Sequence, residues 1–303
     1  MSRLKNAFGP ICLLICALIW GLAFTAQSVG MEYVGPYTFQ ATRCVLAVVV
    51  LIPVFKTADL INKKRGVYKK PTKEDNLLLL KGGIVCGIFL SIGTNFQQVA
   101  IQYTTVGKAG FLTSLYLIIV PILGLFMHKK VSLRVWLCVM LAAVGLYFLS
   151  LFGKESMVFE FGDILLLVCA LGFAFQIIAV DKYAPHVDCI RLSALQFFVC
   201  GIVSWTLAFV FETVNINDIF AAGLSIAYAG IMSCGGAYTL QIIGQKHCEP
   251  TIATLLMSLE SVFALLGGVV ILHQIPTPIE ALGCALVFIA VICAQLPDKK
   301  VAV

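Results

Sequence analysis

Charge is scarce in this chain. Asp, Glu, Lys and Arg make up 12% of its 303 residues, about half the ~25% of a soluble globular protein. A soluble domain of this length exposes much of its surface and needs polar groups there. The shortage therefore excludes an ordinary cytosolic enzyme. With 60% hydrophobic residues it also excludes a disordered chain. Several sequence patterns are missing as well. There is no Gly-rich phosphate loop ending in Gly-Lys-Ser/Thr, no His-Glu-x-x-His and no Gly-x-Ser-x-Gly, so ATP-driven pumping and the common intramembrane hydrolases lack their parts. Twelve cysteines are present, yet none is spaced as Cys-x2-Cys, which removes the usual zinc pattern. Ten of them lie in apolar stretches, and Cys189 and Cys248 lie in basic loops. They read as small apolar packing residues rather than as the disulfide frame of a secreted domain. His128, His186, His247 and His273 sit at the edges of apolar stretches and read as interfacial. Neither a metal nor any other cofactor is expected.

What the chain does have is long apolar runs and a mean hydropathy of +1.00. A helix crossing a bilayer needs roughly 20 apolar residues. Ten runs qualify, near 8–28, 35–55, 78–99, 105–126, 132–151, 162–181, 190–211, 221–243, 251–272 and 278–296. They are too long and too evenly apolar to be barrel strands. The first exceeds the 7–15-residue core of a signal peptide and reads as a retained span. The expected fold is an all-α membrane protein of ten transmembrane helices.

The basic residues set its orientation. Loops on one side carry 18 of the 21 Lys and Arg, the other side holds only Lys108 and Lys154, and Arg43 lies within a span. That asymmetry places both termini in the cytoplasm of a multi-pass plasma (inner) membrane protein. The net charge of +6 is then a topology signal with some attraction to anionic lipid heads. No nucleic-acid partner is expected.

The chain also repeats itself. A shift of 144 lays Ala109–Tyr116 (AGFLTSLY) on Ala253–Glu260 (ATLLMSLE) and Gln97 on Gln241. A shift of 153 lays Ala17 on Ala170, Trp20 on Phe173 and Arg43 on Gln196. The halves, 1–153 and 154–303, would hold five spans each. Five is odd, so the second half enters the bilayer from the opposite side, giving two inverted repeats with a site between them near mid-bilayer.

Several segments resemble the drug/metabolite transporter superfamily, specifically its EamA-type ten-span carriers. They are Ala17–Gly21 (ALIWG), Gln40–Leu46 (QATRCVL), Tyr103–Pro121 and Gly145, echoed by Thr251–Leu259 and Gly283–Ile292. The resemblance covers the whole chain. It implies movement of a metabolite or drug, often export of amino acids or related compounds.

Polar groups inside the spans mark the candidate site, because an ionised group at mid-membrane costs roughly 2.5–3.5 kcal/mol or more. Glu260 lies about ten residues into its span, with Ala253, Met257, Ala264 and Gly267 on its helical face. It either holds a proton or a substrate ammonium, or is a neutral acid bonded to a neighbouring helix. Its repeat mate is Tyr116. Arg43 attracts a substrate carboxylate, pairs with Glu260, or serves structure alone. Two stripes at helical spacing turn away from lipid: Ser91, Asn95, Gln98 and Gln102, then Cys234, Tyr238, Gln241 and Gln245. Each either lines a pathway or bonds helix to helix. The predicted substrate-binding set is Trp20, Asn95, Gln98, Tyr116, Gln176, Tyr238, Gln241, Ser258 and Glu260, with Glu260 also coupling and Arg43 structural or anion-attracting.

Together these features predict a secondary carrier of a small organic metabolite, working by alternating access. One acid and one base among amides and aromatics suit an amino acid or related compound, in export or exchange. The rivals are an organic-cation or drug exporter coupled to protons through Glu260, and a multispan enzyme on lipid-linked substrates. The expected partners are a small-molecule substrate and membrane lipid; a homodimer through outer helices is compatible with the pattern.

Overall fold

The computed structural model describes residues 2–104, 106–128, 131–152, 160–272 and 277–296. Lys129, Lys130, Lys154, His273, Lys299 and Lys300 lie outside the described residues. All regular structure among the described residues is helical. In chain order the helices are α1 (Ser2–Gly30), α2 (Pro36–Lys64), α3 (Lys73–Ala100), α4 (Val106–Thr113), α5 (Tyr116–Phe126), α6 (Leu133–Ser150), α7 (Phe161–Tyr183) and α8 (Cys189–Phe211). Next come α9 (Ile216–Ala221), α10 (Gly223–Ala227), a π-helical segment (Tyr228–Ala237) and α11 (Tyr238–Gln245). The last are α12 (Pro250–Met257), α13 (Leu259–Leu272) and α14 (Pro278–Gln295).

Local sequence explains the starts. Thr72 and Asp75 close a capping box on α3, and Thr277 and Glu280 close one on α14. Ser132 accepts from Val135 N, and Asp188 accepts from Arg191 N. These bonds satisfy amides that a helix start leaves open. Pro occupies the first turn of α2, α12 and α14, where its missing N–H costs nothing.

Nine stretches among the described residues are long and apolar enough to cross a membrane. Where a ninth passage is expected there is a shorter apolar helix, Pro250–Leu266, and the backbone of α13 continues to Leu272. The fourth passage is α4 joined to α5, and the eighth joins α10, the π segment and α11. The bundle is a multi-pass membrane protein, and its surface follows from that. Phe198, Ile202 and Phe209 on α8 and Leu137 and Val144 on α6 point outward, where acyl chains are the solvent. Gln40, Gln98, Gln176, Gln196 and Ser204 are fully buried. Lipid offers amides no hydrogen bonds, so they turn inward.

Contacts sort the helix ends into two sets. At one, Gly9 lies against His247 and Cys248, Gly82 against Tyr183, and Arg191 pairs with Asp59. At the other, Glu212 accepts from Tyr37 N, Thr38 N and Thr38 Oγ1 at 2.7, 2.8 and 2.6 Å, and Tyr103 meets Phe161 edge-on at 5.6 Å. The first set contains the basic loops and is called the basic end below.

Candidate functional site

A cavity lies between the helices, away from both ends. Its walls come from α1 (Trp20, Ala23, Phe24, Gln27), α2 (Arg43), α3 (Gln97), and the fourth passage (Thr113, Tyr116). They continue with α7 (Phe173, Gln176, Ile177), the eighth passage (Ser233, Tyr238, Gln241) and the α12–α13 passage (Met257, Glu260). Its space open to the centre of a water-sized sphere is about 40 Å3, enough for a few waters.

Of the predicted residues, Trp20, Tyr116, Gln176, Tyr238, Gln241, Glu260 and Arg43 face this one cavity. Asn95, Gln98 and Ser258 do not line it. Asn95 clamps two helices, donating Nδ2 to Ser91 O at 2.9 Å and accepting from Ser204 Oγ on α8 at 3.0 Å. Ser258 Oγ donates to Leu255 O in its own turn at 2.8 Å. Gln98 is fully buried, and neither of its amide atoms has a protein partner.

Two helices are interrupted beside the site. α4 gives way to α5 at Ser114–Leu115, and α12 to α13 at Ser258. Both breaks tighten locally: Leu117 N bonds Ser114 O at 3.0 Å, and Ser261 N bonds Ser258 O at 3.4 Å. Each break falls two residues before a cavity-lining side chain, Tyr116 or Glu260. Glu260 is 4% exposed, and its Oε1 accepts from Ser114 Oγ at 3.4 Å. Ser114 and Ser258 are related by the shift of 144, so the same break recurs in both halves.

Arg43 is 3% exposed. It donates Nε to Gln40 Oε1 at 2.6 Å and lies 5.6 Å from the Phe39 ring centroid. It makes no ion pair with Glu260, which corrects the expected option of direct pairing. The guanidinium and the carboxyl line one cavity without pairing. Tyr238 lines the cavity with both and packs edge-on against Trp20 at 4.6 Å and Phe197 at 5.2 Å.

An amide relay lines the basic-end side. Gln241 Nε2 donates to Gln176 Oε1, and Gln176 Nε2 to Gln196 Oε1, both at 3.2 Å. Four wall atoms are left without a protein partner: Trp20 Nε1, Gln27 Oε1, Tyr116 OH and Gln241 Oε1. Buried polar atoms are seldom left so, and here they surround a space that a polar ligand or water can fill.

Four polar cavity residues escaped the predicted site set: Gln97, Thr113, Gln27 and Ser233. Gln97 Nε2 donates to Thr113 Oγ1 at 3.2 Å. The signal for Gln97 was present, since the repeat lays it on Gln241. The stripe through Asn95 and Gln98 is one step round the helix from it, and α8 occupies that face.

Substitutions separate the two faces. Tyr238→Ala raises the apparent KM for substrate, measured by uptake into liposomes, whereas Gln98→Met leaves KM unchanged. Gln98→Met also raises the melting temperature, because it replaces two unpaired buried polar atoms that cost about 1–3 kcal/mol. A drop in melting temperature would show that Gln98 has a partner its surroundings do not supply.

Comparisons with known proteins agree with the fold. The sequence model of the EamA-like transporter family matches twice, over residues 7–151 and 160–295. An uncharacterized transporter of Archaeoglobus fulgidus is 31% identical over 293 residues, spanning 96% of this chain and 87% of that protein. The uncharacterized transporter YoaV of Bacillus subtilis is 24% identical over 277 residues, spanning 89% and 90%. A crystal structure at 19% identity shares the fold, with a TM-score of 0.72 over 95% of this chain and 96% of that one.

Proposed function

This chain belongs to the EamA-like transporter family, and from that premise we propose that it carries a small zwitterionic metabolite, an amino acid or a related compound, across the plasma membrane. The family and its transporter-named relatives point to a transporter rather than an enzyme. One observation carries the substrate class: an unpaired guanidinium and a carboxyl, Arg43 and Glu260, face the same buried cavity. A buried charge without a counter-ion is costly. A ligand bearing both a carboxylate and an ammonium relieves both poles at once. Phe24, Phe173, Ile177 and Met257 on the same walls favour a ligand with an apolar body.

The mechanism we propose is alternating access between two inverted halves, 1–153 and 154–303. Its support is the composition of the walls. Trp20 and Phe173, Ala23 and Gln176, and Phe24 and Ile177 are pairs under the shift of 153; Gln97 and Gln241, Thr113 and Met257, and Tyr116 and Glu260 are pairs under the shift of 144. Six matched pairs of positions thus come from both halves to one cavity, as expected of a site at the repeat interface. With no energy-supplying motif in the chain, export or exchange runs on the substrate's own gradient or on protons.

Arg43→Gln tests the substrate class. In liposome counterflow assays, the wild type exchanges amino acids in preference to their decarboxylated amines. Arg43→Gln removes that preference by roughly tenfold or more, the worth of a charge-assisted hydrogen bond. If the wild type moves amines and amino acids alike and the variant changes nothing, the organic-cation reading replaces this one.

A further inference from the structure

The two ends of the cavity are built differently. Away from the basic end, the space above Phe24 is filled by an apolar plug of Phe24, Ala100, Ile101, Ala109, Leu165 and Leu166. Beside the plug, Lys108 Nζ meets Asp163 Oδ2 at 2.8 Å, with side chains 11% and 2% exposed. Asp163 Oδ2 also accepts from Glu160 N at 2.9 Å, so the pair ties α4 to the first turn of α7. At the basic end a vestibule of about 540 Å3 is lined by Val120, Gly124, Asp181, Gln245, Cys248 and Thr251 among others. Gln241 on the cavity wall and Gln245 on the vestibule wall are one helical turn apart on α11.

The repeat shows what each end could gain by closing. The shifts lay Phe24, Ile101, Leu165 and Leu166 on Ile177, Gln245, Cys12 and Leu13. Lys108 and Asp163 fall on Ile252 and Pro10. The barrier at the basic end therefore has smaller apolar groups, an amide in place of Ile101, and no charge at either position of the ion pair. Closing the far end removes more apolar surface from water. Breaking the ion pair returns two charges to water and recovers part of its cost. The plug thus supplies most of the bias, and the pair fixes the register in which it closes.

Resting on the carrier reading above, we propose that the plug and the Lys108–Asp163 pair form an outer gate that makes the basic-end-open conformation the resting state of the empty carrier. Alternation between equal halves would leave the two states equally populated. The unequal plugs tilt that balance, so the unloaded protein waits with its mouth toward the basic loops.

Two-sided labelling tests this. Gln27→Cys reports the cavity from the far side. The native Cys248, in the turn between α11 and α12, reports the vestibule; burial pushes its thiol up to about 11, so all rates are compared at one pH. Full-length protein in oriented vesicles is labelled with a membrane-impermeant maleimide, and the sites are quantified by mass spectrometry. In the Gln27→Cys background, Ile101→Gln gives the far end the amide that the basic end has. We expect labelling at position 27 to rise several-fold and labelling at Cys248 to fall. Lys108→Gln should move both in the same directions by a smaller factor, and Lys108→Arg should restore the starting rates. A rise at both sites signals general loosening and overturns the gate, as does no change at either. Transport is read in the carrier with native Gln27: reciprocal label shifts with no zwitterion transport there keep the gate and remove the amino-acid reading, and unchanged labels with that transport intact remove the gate alone.

Discussion

Glu260→Gln cuts transport by roughly tenfold or more while the protein still folds. The amide keeps the shape of the carboxyl and can still accept from Ser114 Oγ, so the break between α12 and α13 keeps its local contact. What it loses is the negative charge and the capacity to exchange a proton. Both proposed roles, holding a substrate ammonium and coupling to protons, need one of these. A hydrogen bond to a charged group contributes about 1.5–3 kcal/mol, so the rate falls by roughly tenfold to a hundredfold. Reconstituted carrier at matched amounts, checked for folding by its melting curve, gives the readout. Undiminished uptake by a well-folded Glu260→Gln protein would falsify the role assigned to the carboxyl. The variant also separates two modes. If it loses gradient-driven uptake but keeps exchange, Glu260 couples; if it loses both, Glu260 binds.

Gly283→Val has the second large effect, on the fold itself. α6 and α14 cross with their backbones in contact. A Cβ on Gly283 would lie 2.6 Å from Gly145 O and 2.7 Å from Leu149 N, and one on Gly145 would lie 2.8 Å from Gly283 O. Without a hydrophobic force between helices in lipid, such close packing is a main source of their association. A branched side chain forces the backbones apart. Overpacking typically costs 1–3 kcal/mol, so the melting temperature falls by roughly 2–5 °C and the yield of monodisperse protein drops. KM for the surviving fraction is unchanged, because neither glycine lines the cavity. Gly223→Ala is the control, since a Cβ there meets nothing within 4 Å. If Gly283→Val melts like wild type, the crossing is looser than the contact implies.

The passages were legible because lipid imposes length and uniform apolarity, and those two properties survive in composition. The charged and aromatic members of the site were legible for the same reason: Glu260, Arg43 and Tyr238 are costly in a span unless turned inward. Asn95 and Gln98 show the limit. Their spacing marks a face turned away from lipid, and α3 has such a face on more than one side, against α7 and against α8. Periodicity cannot say which neighbour fills which side. Ser258 was attractive as the neighbour of Glu260, yet a hydroxyl satisfied within its own turn has little left for a ligand. The helix breaks at Ser114 and Ser258 were hidden because every residue around them is a tolerable helix former. Only the recurrence of the motif in both halves hinted that the segment was special.

The π-helical stretch from Tyr228 to Ala237 has a consequence for chain length. Its wider turns take up more residues per unit height than an α-helix does. Elsewhere in the bundle, removing one residue swings everything beyond it by about 100° around the axis. Within this stretch the winding can tighten and absorb the loss, leaving Tyr228 and Tyr238 moored against α1. The eighth passage therefore tolerates small insertions and deletions that its neighbours do not.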